Sequence, residues 1–266
     1  MADSDAPHPI DLHNHLVPGV DDGARTTAES LLFLRAFAED GVERMAVSPH
    51  LDARLVHDST GALYQRLDRL ENAFRDLETT LAGEQGLPRL TFSQEILVPD
   101  PDTATLLFSE PRIGIRGTNY ATIEFGFELP DDTAGVVRAV RDAGRRPIVV
   151  HPERYRRGTD PVELEEIRSW KEAGAILQVN GGSLLDGYGP GIAQLAWTLI
   201  DLGLADLIGT DHHGASRPVS PTAVIRKLQS RGAGEQARIL FCENPGRILD
   251  DLDTLPVPPH IAPPAS

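Results

Sequence analysis

The sequence predicts a single α/β domain built on a closed or nearly closed parallel (β/α) barrel. Three observations support this prediction. Strand-like and helix-like segments alternate along the chain, and parallel neighbours need such helical crossovers. Histidine or acidic residues follow six of the seven predicted strands, and only a barrel brings all of those ends to one mouth. No linker rich in Gly, Ser or Pro divides residues 9–250.

Each predicted element has a local signal. Helix-period patterns fall between the apolar runs, and the first helix has a capping box in which Thr26 and Glu29 can satisfy free amides. The same helix stops at Gly41, a residue suited to a left-handed C-terminal cap. The predicted strands are 9–12, 43–48, 89–95, 120–124, 147–150, 175–179 and 206–210. The predicted helices are 27–40, 60–82, 131–143, 161–173, 190–203 and 219–231.

Composition bounds the function. The 266 residues suffice for one large domain over 9–254, between a flexible tail (1–8) and a Pro-rich tail (255–266). No signal peptide or membrane-length apolar run is visible, and the single cysteine fits a reducing compartment, so we expect a cytoplasmic protein without membrane insertion. The net charge of −15 argues against nucleic-acid binding. It also opposes anionic substrates, so cations must reverse the sign at any phosphate site.

The residues that follow the strands carry the functional signal. Singly, each has an ordinary explanation, such as a capping histidine or a buried carboxylate paired with arginine. Their joint occurrence predicts a multinuclear site for zinc, manganese or iron, and therefore a hydrolase, with Asp11 as a possible orienting partner of the first histidine pair. The runs are Asp11-Leu12-His13-Asn14-His15, Asp21-Asp22-Gly23, Ser48-Pro49-His50, Gln94-Glu95, Ile123-Glu124, His151-Pro152-Glu153-Arg154-Tyr155 and Asp211-His212-His213.

In this order the motifs resemble those of the polymerase and histidinol phosphatase (PHP) superfamily. Three of them resemble most the bacterial protein-tyrosine phosphatases of capsule and exopolysaccharide operons. These are Val20-Asp21-Asp22-Gly23, the His-x-Glu-Arg-Tyr segment that begins at His151, and the late Glu243-Asn244-Pro245-Gly246-Arg247-Ile248. The resemblance covers residues 9–250.

The resemblance implies a distorted seven-stranded (β/α) PHP barrel that binds up to three divalent metal ions at the C-terminal ends of its strands. Manganese is the expected metal, with iron or zinc as alternatives. Glu95 is the expected bridging carboxylate, and His212 is expected to be a neighbour and not a ligand. The implied ligands are His13, His15, Asp22, His50, Glu95, Glu124, His151, Asp211 and His213.

The resemblance further implies that Arg154 and Arg217 hold the phosphate. The loop Gly214-Ala215-Ser216 before Arg217 is shorter than is usual in the family. The implied activity is removal of phosphate from protein phosphotyrosine, with a bacterial tyrosine autokinase of polysaccharide biosynthesis as partner. A small-molecule phosphatase of the histidinol-phosphatase type and a non-catalytic metal-binding module are the alternatives, and the sequence leaves the oligomeric state open.

Two further features have simpler interpretations. Thiol-dependent tyrosine phosphatases resemble one another in a Cys-x5-Arg loop, but only four residues separate Cys242 from Arg247. We therefore expect Cys242 to be a core thiol and not a nucleophile. Gly181-Gly182 and Gly187-x-Gly189 lack the strand–glycine–helix context of a phosphate-binding fingerprint and are predicted to form a mobile loop.

Overall fold

The computed structural model describes residues 8–260. The predicted tails therefore lie largely outside the described residues, at 1–7 and 261–266. The strands are β1 (Ile10–Asp11), β2 (Arg44–Val47), β3 (His50–Asp52), β4 (Arg89–Phe92), β5 (Glu95–Leu97), β6 (Tyr120–Glu124), β7 (Arg146–Val150), β8 (Arg156–Arg157), β9 (Asp160–Pro161), β10 (Ile176–Asn180) and β11 (Leu207–Gly209).

The six predicted helices are confirmed, each within three residues of its expected ends. Further short helices fill the segments between them. The α-helices are α1 (Thr27–Glu39), α2 (Ala62–Leu81), α3 (Pro101–Leu107), α4 (Thr133–Asp142), α5 (Leu164–Ala173), α6 (Gly181–Leu184), α7 (Pro190–Asp201), α8 (Pro221–Ser230), α9 (Gly234–Arg238) and α10 (Asn244–Leu249). Short 3₁₀ turns cover Ala53–His57, Pro152–Arg154 and Gly214–Ser216, and a π-helical turn covers Ile239–Glu243.

The prediction of a parallel α/β architecture is confirmed, whereas that of a closed seven-stranded barrel is not. Across residues 8–260 the parallel strands form two sheets, ordered β1-β2-β4 and β11-β10-β7-β6-β5-β3, beside an antiparallel hairpin of β8 and β9. β1 is only two residues long, so its continuation meets that of β11 through loop backbone and not through a ladder. There, Asp211 N–H donates to His13 O and His15 N–H donates to His212 O.

Two breaks in the chain divide the sheets. The predicted strand 43–48 contains β2, and the unpredicted β3 follows it after a break at Ser48-Pro49, where proline offers no N–H to a ladder. The predicted strand 89–95 is interrupted at Ser93-Gln94, where the Gln94 side chain bonds the backbone of Arg112 and Gly114. Beyond the breaks, His50 and Glu95 face each other in register at the start of β3 and β5. The interruptions therefore bring these two side chains side by side.

Helix α1 illustrates how the sequence determines an element. The Thr26 side chain accepts from Glu29 N–H, as predicted, although the Glu29 carboxylate accepts from Arg25 N–H, one residue before the expected amide. At the other end Gly41 has φ +84°, which a left-handed cap requires. Leu34 and Phe37 are buried on its inner face.

Two expectations for loops and tails need correction. Gly181 and Gly182 begin the buried helix α6, which Asn180 caps by accepting from Gly182 N–H, so they do not form a loop. Part of the predicted Pro-rich tail packs on the domain, because Val257 is buried and Gln236 donates to Pro258 O. Among residues 8–260, no helix is long and apolar enough to cross a lipid bilayer.

Candidate metal centre

The structure brings all nine predicted ligands together in one cluster. They fall into four overlapping groups, and within each group the candidate ligand atoms lie within 4.8 Å of one another. The groups are His15, Asp22, His50 and His213; His13, Glu95 and His151; His13, His15 and Asp211; and His50, Glu95 and Glu124. Their role as ligands stays a prediction, but their convergence is what a multinuclear site requires.

Glu95 lies at the centre of the cluster, with two imidazoles on each carboxylate oxygen. Oε1 lies 3.2 Å from His13 Nε2 and 2.9 Å from His151 Nε2. Oε2 lies 3.2 Å from His15 Nε2 and 3.0 Å from His50 Nδ1. Burial alone raises the pKa of Glu95, but the surrounding histidines outweigh it and hold the pKa well below its usual range. An ionised carboxylate with both oxygens shared in this way is suited to bridge two cations.

Buried polar atoms without hydrogen-bond partners indicate that the cluster fits metal ions. Within residues 8–260, Nε2 of His13, His15 and His213 and Oε2 of Glu95 are buried and make no hydrogen bond. Such atoms are costly to bury unless something compensates them, and buried native groups are nearly always paired. Imidazole nitrogens and carboxylate oxygens are ligands of zinc, manganese and iron. Divalent cations would compensate all four atoms at once.

The atoms of the histidines that face away from the cluster are held by two residues that the sequence did not single out as site residues. Asp21 Oδ2 lies 2.9 Å from His15 Nδ1, and the pKa of Asp21 is about 2 because this interaction outweighs the effect of burial. The Gln178 amide lies 2.6 Å from His13 Nδ1. Ligating histidines usually bond such outer partners, which fix the ring and its tautomer. Asp21 belongs to the Val20-Asp21-Asp22-Gly23 motif, whereas Gln178 lies 165 positions from His13.

Asp11 acts differently from the expectation. It bonds the Asn14 side chain and the Thr210 backbone and hydroxyl, so it does not orient a metal-facing imidazole directly. Asn14 in turn donates to Ala46 O. Asp11 therefore fixes the backbone of the His-x-His turn against β2 and the end of β11.

Two glycines allow the cluster to pack. A Cβ at Gly23 would lie 2.0 Å from His15 O, so no residue other than glycine can follow Asp22 at this position. A Cβ at Gly209 would lie 2.6 Å from the Gln178 amide and 2.8 Å from His13 Cβ. Both glycines are required by close approach to the residues that hold the candidate ligands.

Two predicted ligands have left-handed backbones. His151 has φ +37° and Asp211 has φ +51°, and they are two of the four non-glycine residues with positive φ in the described chain. Such conformations cost free energy and concentrate at functional sites, where the surrounding structure imposes them. His151 directly follows β7 and Asp211 lies two residues after the end of β11, so each turn directs a side chain into the cluster.

The two predicted phosphate-binding arginines lie at the edge of the cluster. Arg154 donates to Asp211 Oδ2 at 2.6 Å, and its Cζ lies over the rings of Phe127 and Tyr188 at 4.8 and 4.4 Å. Arg217 donates to Asp22 Oδ2 at 3.2 Å. The structure thus places Arg217 at the site despite its short loop. Phosphate binding by either arginine stays a prediction.

The cluster opens to the surface through a cavity of 310 Å³. Its floor is buried, whereas the side chains of Asp22 and His50 on its rim are 61% and 38% exposed. A larger cavity of 670 Å³ lies between α3 and α4 and contains no histidine. The lining residues of the site cavity are Asp22, His50, Glu95, Glu124, Phe127, His151, Arg154, Asp211, His213 and Arg217.

Two residues lie outside this machinery, as expected. The His212 ring packs edge-on against Phe33 and Phe37 and accepts from Val219 N–H, and burial lowers its pKa to about 4. Cys242 does not line the site cavity, and burial raises the pKa of its thiol to about 11. A thiol with this pKa is protonated at neutral pH and is not an activated nucleophile.

Comparisons with known proteins agree with the fold and the motifs. The family model for capsular polysaccharide synthesis, CpsB/CapC, matches residues 9–250. The tyrosine-protein phosphatase YwqE of Bacillus subtilis is 24% identical over 94% of this chain and 95% of its own length. The tyrosine-protein phosphatase CpsB of Streptococcus agalactiae is 24% identical over 90% and 98%.

A solved structure shows the same fold. Crystal structures of YwqE from B. subtilis and CpsB from Streptococcus pneumoniae are described as those of metal-dependent tyrosine phosphatases. The matching chain superposes with a TM-score of 0.74 at 24% identity, covering 96% of this chain and 100% of that one.

Proposed function

The chain belongs to the capsular polysaccharide synthesis family CpsB/CapC, and we propose that it is a metal-dependent phosphatase that hydrolyses protein phosphotyrosine. The observation that carries this proposal is the convergence of nine imidazole and carboxylate side chains on Glu95, with two arginines at the rim. Relatives along nearly the whole length are tyrosine-protein phosphatases, which supports the same activity here.

We propose that the cluster holds up to three divalent cations and that these are manganese, because carboxylate oxygens suit manganese, with iron or zinc as the alternatives that imidazole ligands also bind. When bound, such ions polarise phosphoryl oxygens and make water a nucleophile at neutral pH. Arg154 and Arg217 are placed to neutralise the remaining phosphate charge at the rim. They also offset the repulsion that the net charge of −15 imposes on an anionic substrate.

Contacts within the chain fix the positions of both guanidinium groups. Arg154 is kept in place by Asp211 on one edge and by two aromatic rings over its plane. Arg217 spans between Asp22 and Asp211, at 3.2 and 3.5 Å. The leaving phenolate of phosphotyrosine needs little help from an acid, because the pKa of tyrosine is about 10. The cluster therefore needs no separate proton donor for this substrate.

The open rim favours a phosphate attached to a protein over a small phosphomonoester enclosed in a deep pocket. Asp22 is exposed and His50 is half-buried, so a phosphotyrosine side chain can enter the cavity from a peptide lying on the surface. We propose a cytoplasmic tyrosine autokinase of polysaccharide biosynthesis as the partner. The family match and the open rim support this partner class.

Phosphate release by the manganese-loaded protein tests the proposal. Phosphotyrosine peptides are compared with histidinol phosphate and nucleotides, each with a chelator control. We expect chelator-sensitive release with a clear preference for the peptides. A preference for histidinol phosphate or a nucleotide contradicts the phosphotyrosine assignment, and a metal-loaded protein inert toward every substrate indicates a regulatory module.

A further inference from the structure

Phe127 is a large apolar residue that remains exposed at the rim of the metal centre. Its exposed fraction is 48%, although most aromatic residues of the described chain are buried. It lines the same cavity as Glu124, His151 and Arg154. Its ring centroid lies 6.0 Å from that of His151. An exposed apolar face beside a cluster of charges calls for a ligand with an apolar part.

The backbone holds Phe127 in this position. Its carbonyl accepts from Arg156 N–H at 2.9 Å, and Leu129 N–H donates to Arg156 O at 3.0 Å. Glu128 between them forms a parallel bridge with Arg156. The preceding Gly126 has φ +81°, which turns the chain outward after β6. The ring is therefore presented on a fixed segment, and a ligand that stacks on it has little backbone ordering to complete.

Tyr188 provides an internal comparison. Both rings lie over the guanidinium of Arg154, Phe127 at 4.8 Å and Tyr188 at 4.4 Å from Cζ. Tyr188, however, lines a neighbouring cavity of 290 Å³ and is not among the residues that line the metal cavity. Of these two rings, Phe127 both contacts the Arg154 guanidinium and lines the metal cavity.

We propose that Phe127 determines specificity by stacking on the aromatic ring of the phosphotyrosine side chain while Arg154 binds its phosphate. A ring joined to the phosphate through one oxygen projects from the cavity past Phe127, and an alkyl phosphate offers no such face. Offset or edge-to-face aromatic pairs are favoured over other contacts of equal area. This inference rests on the proposed function and deepens it, because it identifies the residue that distinguishes aryl from alkyl phosphates.

Calorimetric titration of the manganese-loaded protein with two phosphonates tests the stacking without a leaving group. Benzylphosphonate carries the ring, and ethylphosphonate carries the same anionic head without it. We expect the wild type to bind benzylphosphonate about 3- to 10-fold more tightly than ethylphosphonate, the range for one aromatic pair. Phe127→Leu, which keeps an apolar side chain, should bring the ratio of the two affinities close to one, even where the loss of the ring over Arg154 weakens the binding of both phosphonates. Phe127→Tyr should retain the preference.

Tyr188→Leu is the matched control, because it removes the other ring over Arg154. It should keep the wild-type ratio of the two affinities, even where both fall together. A preference that survives in Phe127→Leu, or is absent from the wild type, overturns the stacking. Failure of the proposed function is distinct: the wild type then shows the benzyl preference but hydrolyses small phosphomonoesters faster than phosphotyrosine peptides.

Discussion

Two aspartates flank β11, and each accepts a hydrogen bond from a cationic side chain, but only one of them also faces a group of histidines. Asp206, before the strand, binds Lys171 Nζ with both oxygens, at 2.7 and 2.5 Å, and accepts from Leu177 N–H. Asp211, after the strand, faces His13 and His15, each 3.5 Å from its Oδ1. Burial raises the pKa of Asp206, whereas at Asp211 the histidines outweigh burial and lower it.

The difference separates a structural acid from a functional one. At Asp206 every buried charge has a protein partner, as in a network that stabilises the fold. At the other end of the strand, the Nε2 atoms of His13 and His15 are buried and make no hydrogen bond within residues 8–260, although they lie 3.2 to 3.5 Å from carboxylate oxygens. Groups left unsatisfied in this way indicate ligands that are not part of the chain. Variants at the two ends should therefore lose different properties.

The largest effect is expected at the centre of the cluster. Glu95→Gln keeps the size of the side chain but removes the charge that two cations would share. Hydrolysis and metal content should fall together by more than 100-fold, because loss of an outer partner alone costs about 10- to 100-fold. Elemental analysis of the purified variant, with circular dichroism to check folding, measures this. A folded variant with full metal content contradicts the bridging role.

The next effect concerns an outer partner. Gln178→Leu removes the partner of His13 Nδ1 at similar volume, so the ring loses its fixed orientation. Metal affinity should weaken by about 10- to 100-fold. Competition with a chelating indicator measures it, and Gln194→Leu on the exposed face of α7 is the control that should match the wild type. Equal affinities in both variants would show that Gln178 does not orient the ligand.

At the opposite end of β11, Asp206→Asn should affect stability and not chemistry. It removes the charge that balances Lys171 and should lower the free energy of unfolding by about 1–3 kcal/mol, the cost of losing a hydrogen bond to a charged group. Urea unfolding measures the loss. Specific activity and metal content per folded molecule should stay at the wild-type level. A fall in either would contradict the purely structural role of Asp206.

The smallest effect is expected at Cys242. Its thiol is buried with a pKa of about 11, so Cys242→Ser should keep most of the activity. Steady-state hydrolysis of a phosphotyrosine peptide by the folded variant checks this. Loss of activity without loss of folding would favour a thiol mechanism.

The sequence predicted the parts of this molecule that rest on local signals. The caps of α1 at Thr26 and Gly41 and the order of strands and helices could be read directly. The break at Ser93-Gln94 could not, because it depends on a side chain that bonds distant backbone, whereas Pro49 was a local signal for the other break that the prediction did not use. The two separate sheets follow from the breaks at Ser48-Pro49 and Ser93-Gln94, and the predicted closed barrel is therefore not confirmed.

The candidate site shows the same division. All nine predicted ligands converge, since strand ends are visible in sequence and parallel strands bring them together. The partners Asp21 and Gln178 were missed as site residues, because Gln178 lies 165 positions from His13. A buried imidazole that binds metal needs a partner on its other nitrogen. The sequence contained one signal of such a partner, the pair Asp21-Asp22 before Gly23, because Asp21 contacts His15 Nδ1.

Metal titration of the chelator-treated protein tests the central claim most directly. Manganese bound per chain and phosphate released from a phosphotyrosine peptide are measured on the same samples, for the wild type and Glu95→Gln. We predict that activity is absent without metal, rises in proportion to metal bound in the wild type, and never appears in Glu95→Gln. Metal-free protein that hydrolyses the peptide as fast as the loaded protein would contradict the account.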